Sequence, residues 1–503
     1  MPTKVEQYKI ITFNVGSVLI FYTFIILIPL VFTFFYPFEW IHMYAFLIPA
    51  VISLILGLIL KKVSGINSSH TVTVREGAVI VLFTWTLVVV IGAIPFIMIE
   101  HLNFSQAVFE ATSGFTTTGL TMFSNVKDVS KLILVWRSLM QFIGGAGFAL
   151  IMMGSVIGPR GFGLYHAEGR VDNIAPNIKR SARIISLIYV IYAVIGVIVL
   201  DIAGMPLFDA FNHSLTALAT GGFSVKNGSI GEYNSVSVEI VTMILMFLGG
   251  TGFGVHYALW RGNFKALFKN GEPWLMLSTI FITTLIITFN GVGKIFTNFS
   301  EGFRQAIFQT TSALTGTGFS TVDLSSPVWI NFGVAMFILT SLMLAGGGMD
   351  STAGGLKQYR IWVTIRVIIH SIKEFLLPSR SVTKISVWKG QTRKFISNED
   401  LKEILLVFSM YFSTFFVGSI ILSCYGYNLT EAMFEFSSAM NGVGLSVGIT
   451  SSTMPLGAMW TLTIAMFTGR LEFLVVIYAL SKLFIDMYDN VKKISYKKSI
   501  VKK

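Results

Sequence analysis

Four stretches of this 503-residue chain, at 106–121, 209–224, 305–320 and 431–446, align with one another without a gap. They read QAVFEATSGFTTTGLT, DAFNHSLTALATGGFS, QAIFQTTSALTGTGFS and EAMFEFSSAMNGVGLS. One glycine falls in the same column of every copy: Gly119, Gly222, Gly318 and Gly444. Six residues earlier each copy has Ser113, Thr216, Ser312 or Ser438, and two residues later Thr121, Ser224, Ser320 or Ser446. An alanine, Ala107, Ala210, Ala306 or Ala432, opens each stretch after a polar or acidic residue. One Gly/Thr-rich loop would be ordinary in an apolar chain. Four in register mark a repeat whose copies must pack on each other to bury what none can bury alone.

Each copy lies between two apolar runs. A membrane-crossing helix needs roughly 20 apolar residues, and ten candidates occur, at about 10–35, 40–60, 76–99, 132–157, 184–203, 237–260, 274–293, 328–345, 403–425 and 455–481. Only 12% of the chain is charged, half the roughly 25% of a soluble protein, and the mean hydropathy is +0.73. An ordinary soluble enzyme is excluded. The first apolar run is too long for a cleaved signal peptide. Cys424 is the only cysteine, so disulfides within the chain and cysteine metal sites are excluded too.

The basic residues set the orientation. With the N-terminus inside, segments 1–10, 61–75, 158–183, 261–273, 357–402 and 482–503 hold 30 of the 37 lysines and arginines. The outward connections hold five, Lys127, Lys131, Lys226, Lys294 and Arg304. This bias predicts ten spans with both termini cytoplasmic. It also explains the net charge of +12 without nucleic acid. Acids of the outward connections include Glu110, Asp128, Asp209, Glu232, Glu301, Asp323, Glu431 and Glu435. They either draw cations to a mouth or simply solvate the surface.

The repeated stretch has a physical consequence. About twelve residues, such as Ser105–Thr116, make a helix of roughly 18 Å, which enters a bilayer only partway. The chain must return as an extended strip. Non-helical backbone at that depth survives only where it lines a cavity. The strips are Thr116, Thr117, Thr118 and Gly119; Ala219, Thr220, Gly221 and Gly222; Thr315, Gly316, Thr317 and Gly318; and Asn441, Gly442, Val443 and Gly444. None holds an acid. Four such strips around one axis would offer rings of neutral carbonyl oxygens able to replace the water shell of a monovalent cation. The flanking hydroxyls can tie each strip to its own helix. The sequence thus predicts an all-α polytopic membrane protein: four parallel helix–pore-loop–helix repeats around one pore, after two extra transmembrane helices. The units expected are a two-helix N-terminal part at 1–70, repeats at 71–181, 182–272 and 273–400, and a fourth repeat with a cytoplasmic tail at 401–503.

Gly-Gly motifs recur after the strips, at Gly144-Gly145-Ala146-Gly147, Gly249-Gly250-Thr251-Gly252 and Gly346-Gly347-Gly348. In spans four and six they suit close helix packing through small residues. Span eight is richer, with Gly354 and Gly355 following Asp350. Each glycine costs a helix roughly 1 kcal/mol against alanine, so a loop within the membrane is expected there.

With these strips, Gly-Gly motifs and the loop Gly346–Gly355 followed by Lys357, the chain resembles the potassium-uptake proteins of the Trk/Ktr/HKT superfamily from span three onward. The two extra spans, and Leu164-Tyr165-His166-Ala167-Glu168 followed by Pro176-Asn177-Ile178-Lys179, resemble its TrkH branch. The resemblance implies inward K⁺ passage through one pore per chain, with K⁺ at the strip residues and no cofactor. It implies a homodimer in the cytoplasmic membrane and gating by a cytosolic nucleotide-binding ring, TrkA-like or KtrA-like. Gly119 stands where many Na⁺-preferring plant relatives have serine, which favours K⁺. Gly346, Gly347, Gly348, Asp350, Gly354, Gly355 and Arg470 fall at the family's gate, although many relatives have glycine in place of Asp350.

Other charges in the spans have simpler expected roles. Arg470, near the middle of span ten and roughly 16 Å from its inner end, needs a wet cavity or a partner. Glu472, about 200° round the same helix, is expected to face elsewhere as a structural partner. Arg137 is expected to snorkel outward, and His213 to cap or pack. A symporter coupled to H⁺ or Na⁺ is the competing function, with Asp350 its single candidate acid. No nucleophile–base pair, metal triad or P-loop supports an enzyme.

Overall fold

The computed structural model describes residues 3–66, 72–146, 178–376, 384–389 and 392–501. The expected motif at 164–168 and 176–177, with Gly147 and Phe148, lies outside the described residues.

The first helix, Lys4–Leu27, starts on a capping box in which Thr3 and Glu6 satisfy each other's backbone amides. It continues as a tighter turn over Ile28–Phe34, where Pro29 lacks an amide hydrogen. Tyr44–Ser64 lies against it. Gly16 and Gly57 face each other there, and a β-carbon on Gly16 would come within 2.7 Å of the Gly57 carbonyl oxygen, so small residues set how closely the backbones approach. Val74–Gly92 begins on a second capping box, Thr73 with Glu76.

Among the described residues, six helices are long and apolar enough to cross a membrane. Several of the ten expected spans are not straight helices. Span six is Val236–Gly249 and Phe253–Trp260, bent by 103°, with Gly250-Thr251-Gly252 at the break. Span eight is the 13-residue helix Gly333–Ala345. Span ten breaks by 98° between Leu456–Arg470 and Phe473, where Glu472 takes a φ of 55°. Hydropathy summed along the chain cannot register these breaks, because the residues on either side stay apolar. The membrane-spanning helices carry exposed Ile55, Ile59, Leu187, Val194, Phe281, Phe289, Phe416 and Ile420. Such a continuous apolar exterior belongs in lipid, and the chain is a multi-pass membrane protein.

The interior is built on four shorter helices, Phe104–Phe115, Leu207–Leu218, Phe299–Thr315 and Leu429–Met440. Three are near the expected twelve residues; the third is 17 residues long. Asn103 and Asn298 cap their helices through the amides of Gln106 and Glu301. The first glycine of two Gly-Gly motifs, and Gly469 before Arg470, sit against the short helices. A β-carbon on Gly144, Gly249 or Gly469 would overlap the carbonyl oxygen of Phe115, Leu218 or Met440, the last residue of the neighbouring short helix, whereas one on Gly346 would meet the Gly354 carbonyl oxygen of its own loop. Close packing is the role expected for spans four and six. Beyond the helices, strands Ser386–Lys389 and Thr392–Phe395 form an antiparallel hairpin, and Val387 packs in a cluster with Met349, Tyr359 and Val363.

Candidate ion pathway

Every short helix ends in the same way. The residue after its last turn, Thr117, Thr220, Gly316 or Gly442, has a φ of 57°, 51°, 71° or 64°. Its amide returns to the carbonyl of Gly114, Ala217, Ala313 or Ala439 at 3.0–3.3 Å. The next amide, of Thr118, Gly221, Thr317 or Val443, returns to Ser113, Thr216, Ser312 or Ser438 at 2.8–2.9 Å. Those two bonds around a left-handed residue form a Schellman cap. The amides of Gly119, Gly318 and Gly444 then bond the hydroxyls of Ser113, Ser312 and Ser438 at 2.9–3.0 Å. In the second copy Gln141 bridges the strip instead, accepting from the Phe223 amide at 3.1 Å and donating to the Gly221 carbonyl at 2.5 Å. Threonine is strained at positive φ. The hydroxyls of Thr117 and Thr220 donate to the preceding carbonyls at 2.6 and 2.7 Å.

The four strips close into a ring. The aligned glycines have φ values of 94°, 73°, 89° and 98°. A β-carbon on Gly119 would overlap the carbonyl oxygen of Gly221; on Gly222, that of Thr317; on Gly318, that of Val443; and on Gly444, that of Thr118. Each strip therefore leans on the next, and the fourth returns to the first. In strips one, three and four the last three amides are thus consumed on the helix side. The residues from Thr116 to Thr118 and their counterparts are buried apart from the half-buried Gly442.

A polar column braces this ring, and it sits nine residues before each aligned glycine. Glu110 holds the Thr121 hydroxyl at 3.0 Å, His213 the Ser224 hydroxyl at 2.9 Å, Gln309 the Ser320 hydroxyl at 2.8 Å and Glu435 the Ser446 hydroxyl at 2.8 Å. The signal was present as a column that is polar in all four copies of the repeat. It corrects the count of mouth acids: Glu110 and Glu435 are fully buried braces, and Asp209 is buried against the Tyr233 hydroxyl at 2.7 Å. His213 packs as expected, its other nitrogen on the Asp209 carbonyl at 2.8 Å. Arg137 does not snorkel. It is 2% exposed and paired with Glu110 at 2.8 Å, because an acid on the adjacent short helix meets it before solvent does.

On one side of the ring lies a cavity of about 750 Å³ bounded by the four aligned glycines, with Arg137, Lys226, Glu232 and Asp323 in its wall. On the other side the loop Gly346–Lys357 presses directly on the strips. A β-carbon on Gly354 would overlap the Asn441 carbonyl. The Thr352 hydroxyl is 3.1 Å from that of Thr220 and donates to the Gly249 carbonyl at 2.8 Å. The amide of Gly348 reaches Gly250 at 2.8 Å, and that of Met349 reaches the Glu272 carboxylate at 2.9 Å.

Arg470 bonds the carbonyls of Thr352 at 2.7 Å and Gly144 at 2.5 Å. It thus joins the loop to the fourth span. Asp350, Gly354, Gly355, Arg470 and Glu472 line one cavity of about 50 Å³. Glu472 does not face away from Arg470: the helix ends at Arg470, so helical geometry no longer applies to it. As a structural partner it fits, pairing with Arg360 at 3.2 Å.

The model of a family described as "Cation transport protein", TrkH, matches residues 45–270 and 272–488. The chain belongs to the TrkH family. An uncharacterised cation transporter of Methanocaldococcus jannaschii is 30% identical over 456 residues, 89% of this chain and 90% of that protein. The Trk system potassium uptake protein TrkH of Escherichia coli K12 is 30% identical over 414 residues, covering 79% of this chain and 83% of its own length. The crystal structure of the potassium transporter TrkH from Vibrio parahaemolyticus superposes with a TM-score of 0.82 at 24% identity, covering 95% of this chain and 98% of that one. The TrkH-like fold read from the repeats is thereby established. Members of the TrkH family are membrane transport proteins, and this chain is one rather than an enzyme.

Proposed function

We propose that the chain takes up K⁺ across the cytoplasmic membrane through the ring of four strips, with both termini inside and the wide cavity facing outward. The observation that carries this is the closed glycine-to-carbonyl ring, 119 to 221, 222 to 317, 318 to 443 and 444 to 118. Its ligands are backbone oxygens held by Schellman caps and buried braces, with no carboxylate among them. Neutral oxygens at fixed spacing suit a monovalent cation that sheds its water. The relative of Escherichia coli is a potassium uptake protein, which supports K⁺ as the substrate.

The loop Gly346–Lys357 is the proposed gate. It fills the inner side of the ring against Gly316, Asn441 and Thr220, and Arg470 places a fixed positive charge beside it. Asp350 and Arg470 share the small cavity. The charge that repels a cation and the loop that obstructs it are therefore one unit. We further propose a homodimer regulated by a cytosolic nucleotide-binding ring that docks on the basic inner segments. Radioactive rubidium uptake into proteoliposomes, with and without the co-purified ring, tests this. Uptake set by the K⁺ gradient and membrane potential supports the pathway. A reversal potential that moves with pH or Na⁺ instead supports a symporter.

A further inference from the structure

The brace column is fourfold, but its electrostatics are not. Glu110, His213, Gln309 and Glu435 are all fully buried, yet Glu110 alone among them meets an arginine in the described contacts. The positions corresponding to Arg137 in the other repeats are Thr242, Leu339 and Leu462. Arg137 donates to Glu110 at 2.8 Å, to the Thr121 hydroxyl at 3.1 Å and to the Ser224 carbonyl at 3.2 Å. Its guanidinium lies 3.9 Å from the centre of the Phe223 ring. Thr121 follows strip one and Ser224 and Phe223 follow strip two, so one side chain ties the outer ends of two strips together. It also lines the outer cavity beside Gly119 and Gly222.

We propose that Arg137 is a positioning residue for selectivity, and that Glu110 cancels its charge at the outer mouth. The planar guanidinium with several donors holds two strips at once, a task an ammonium point charge does less well. Standing alone at the mouth of a cation pathway, that charge would repel the ion. Paired with Glu110, it supplies geometry without the field. This proposal rests on the strips being the ion path.

The two halves of the pair make opposite predictions. Glu110→Gln leaves the guanidinium uncompensated, and the rubidium concentration for half-maximal uptake rises about three- to tenfold. Arg137→Gln leaves a carboxylate at the mouth and unties strip two, so half-saturation falls while Na⁺ competes better against rubidium. Arg137→Lys keeps the charge and loses the fork: half-saturation stays near wild type, but discrimination against Na⁺ weakens. The double variant Glu110→Gln/Arg137→Gln returns half-saturation toward wild type. The assay is uptake with Na⁺ competition in a bacterial host lacking its own potassium uptake, with monodispersity of each purified variant as the folding control. A merely structural pair would lower maximal uptake in all variants and move half-saturation in one direction or not at all; that result overturns the proposal. If the wild-type chain moves no rubidium, the transport reading fails and takes this one with it. Rubidium uptake with half-saturation shifts of one sign defeats the pair alone.

Discussion

Replacing Gly119 by serine is the sharpest test of the strip ring. Gly119 has a φ of 94°, and its β-carbon position is occupied by the carbonyl oxygen of Gly221. Two costs follow. A side chain at that dihedral costs about 1–3 kcal/mol of backbone strain. The clash must then push strip two, because the obstructing atom is backbone and cannot swing away. The serine therefore re-aims a carbonyl of the next strip as well as its own. Discrimination between two cations by one ring is a difference of a few kcal/mol, and each 1.4 kcal/mol is a factor of about ten. Losing about 1–2 kcal/mol of it, as a displaced ligand would, lowers the preference for rubidium over Na⁺ roughly five- to thirtyfold. The assay is rubidium uptake under Na⁺ competition, checked by reversal potentials. Gly204→Ser is the matched control: its φ is 100°, but nothing lies within 4 Å of the added carbon. It carries the dihedral strain without the clash and leaves selectivity unchanged. A folded Gly119→Ser protein with wild-type selectivity would refute the assignment of this ring.

Arg470→Ala removes a charged hydrogen bond to Thr352 in the loop, worth about 1.5–3 kcal/mol; rubidium flux through the membrane chain alone should rise about tenfold or more, and unchanged flux in stable protein makes Arg470 structural. Asp350→Asn should raise flux less, and the double variant should be non-additive if the two groups couple across their shared cavity. Glu472→Gln leaves Arg360, 5% exposed, without its carboxylate. The loss should be about 2 kcal/mol, below that of a fully buried pair because Glu472 keeps some solvent, and thermal unfolding in detergent measures it. Deleting 492–503 should weaken co-purification with a cytosolic ring, since 357–402 and 482–503 hold 17 of the 37 basic residues; undiminished binding removes the tail from that interface and leaves anionic lipid as its partner.

Much of this protein was legible in one dimension. The gapless alignment located the four glycines, because a position that must take positive φ against a neighbouring carbonyl accepts no side chain and so recurs as glycine in every copy. The apolar runs and basic segments announced a multi-pass membrane protein, because bilayer thickness and loop charge act on local sequence. The same alignment contained the buried brace column, but spacing alone could not say that Glu110 and Glu435 point inward to hydroxyls eleven residues on rather than outward to water. Tertiary structure decided the rest. Arg137 is a buried clamp because a carboxylate 27 residues earlier is brought to 2.8 Å. Spans six and ten bend by 103° and 98° where the loop Gly346–Lys357 meets Gly250 and Phe253, and where Arg470 meets Thr352 of that loop. An apolar run records what a segment can dissolve in. Whether it runs straight, and which charge it meets, depends on groups that approach from elsewhere in the chain.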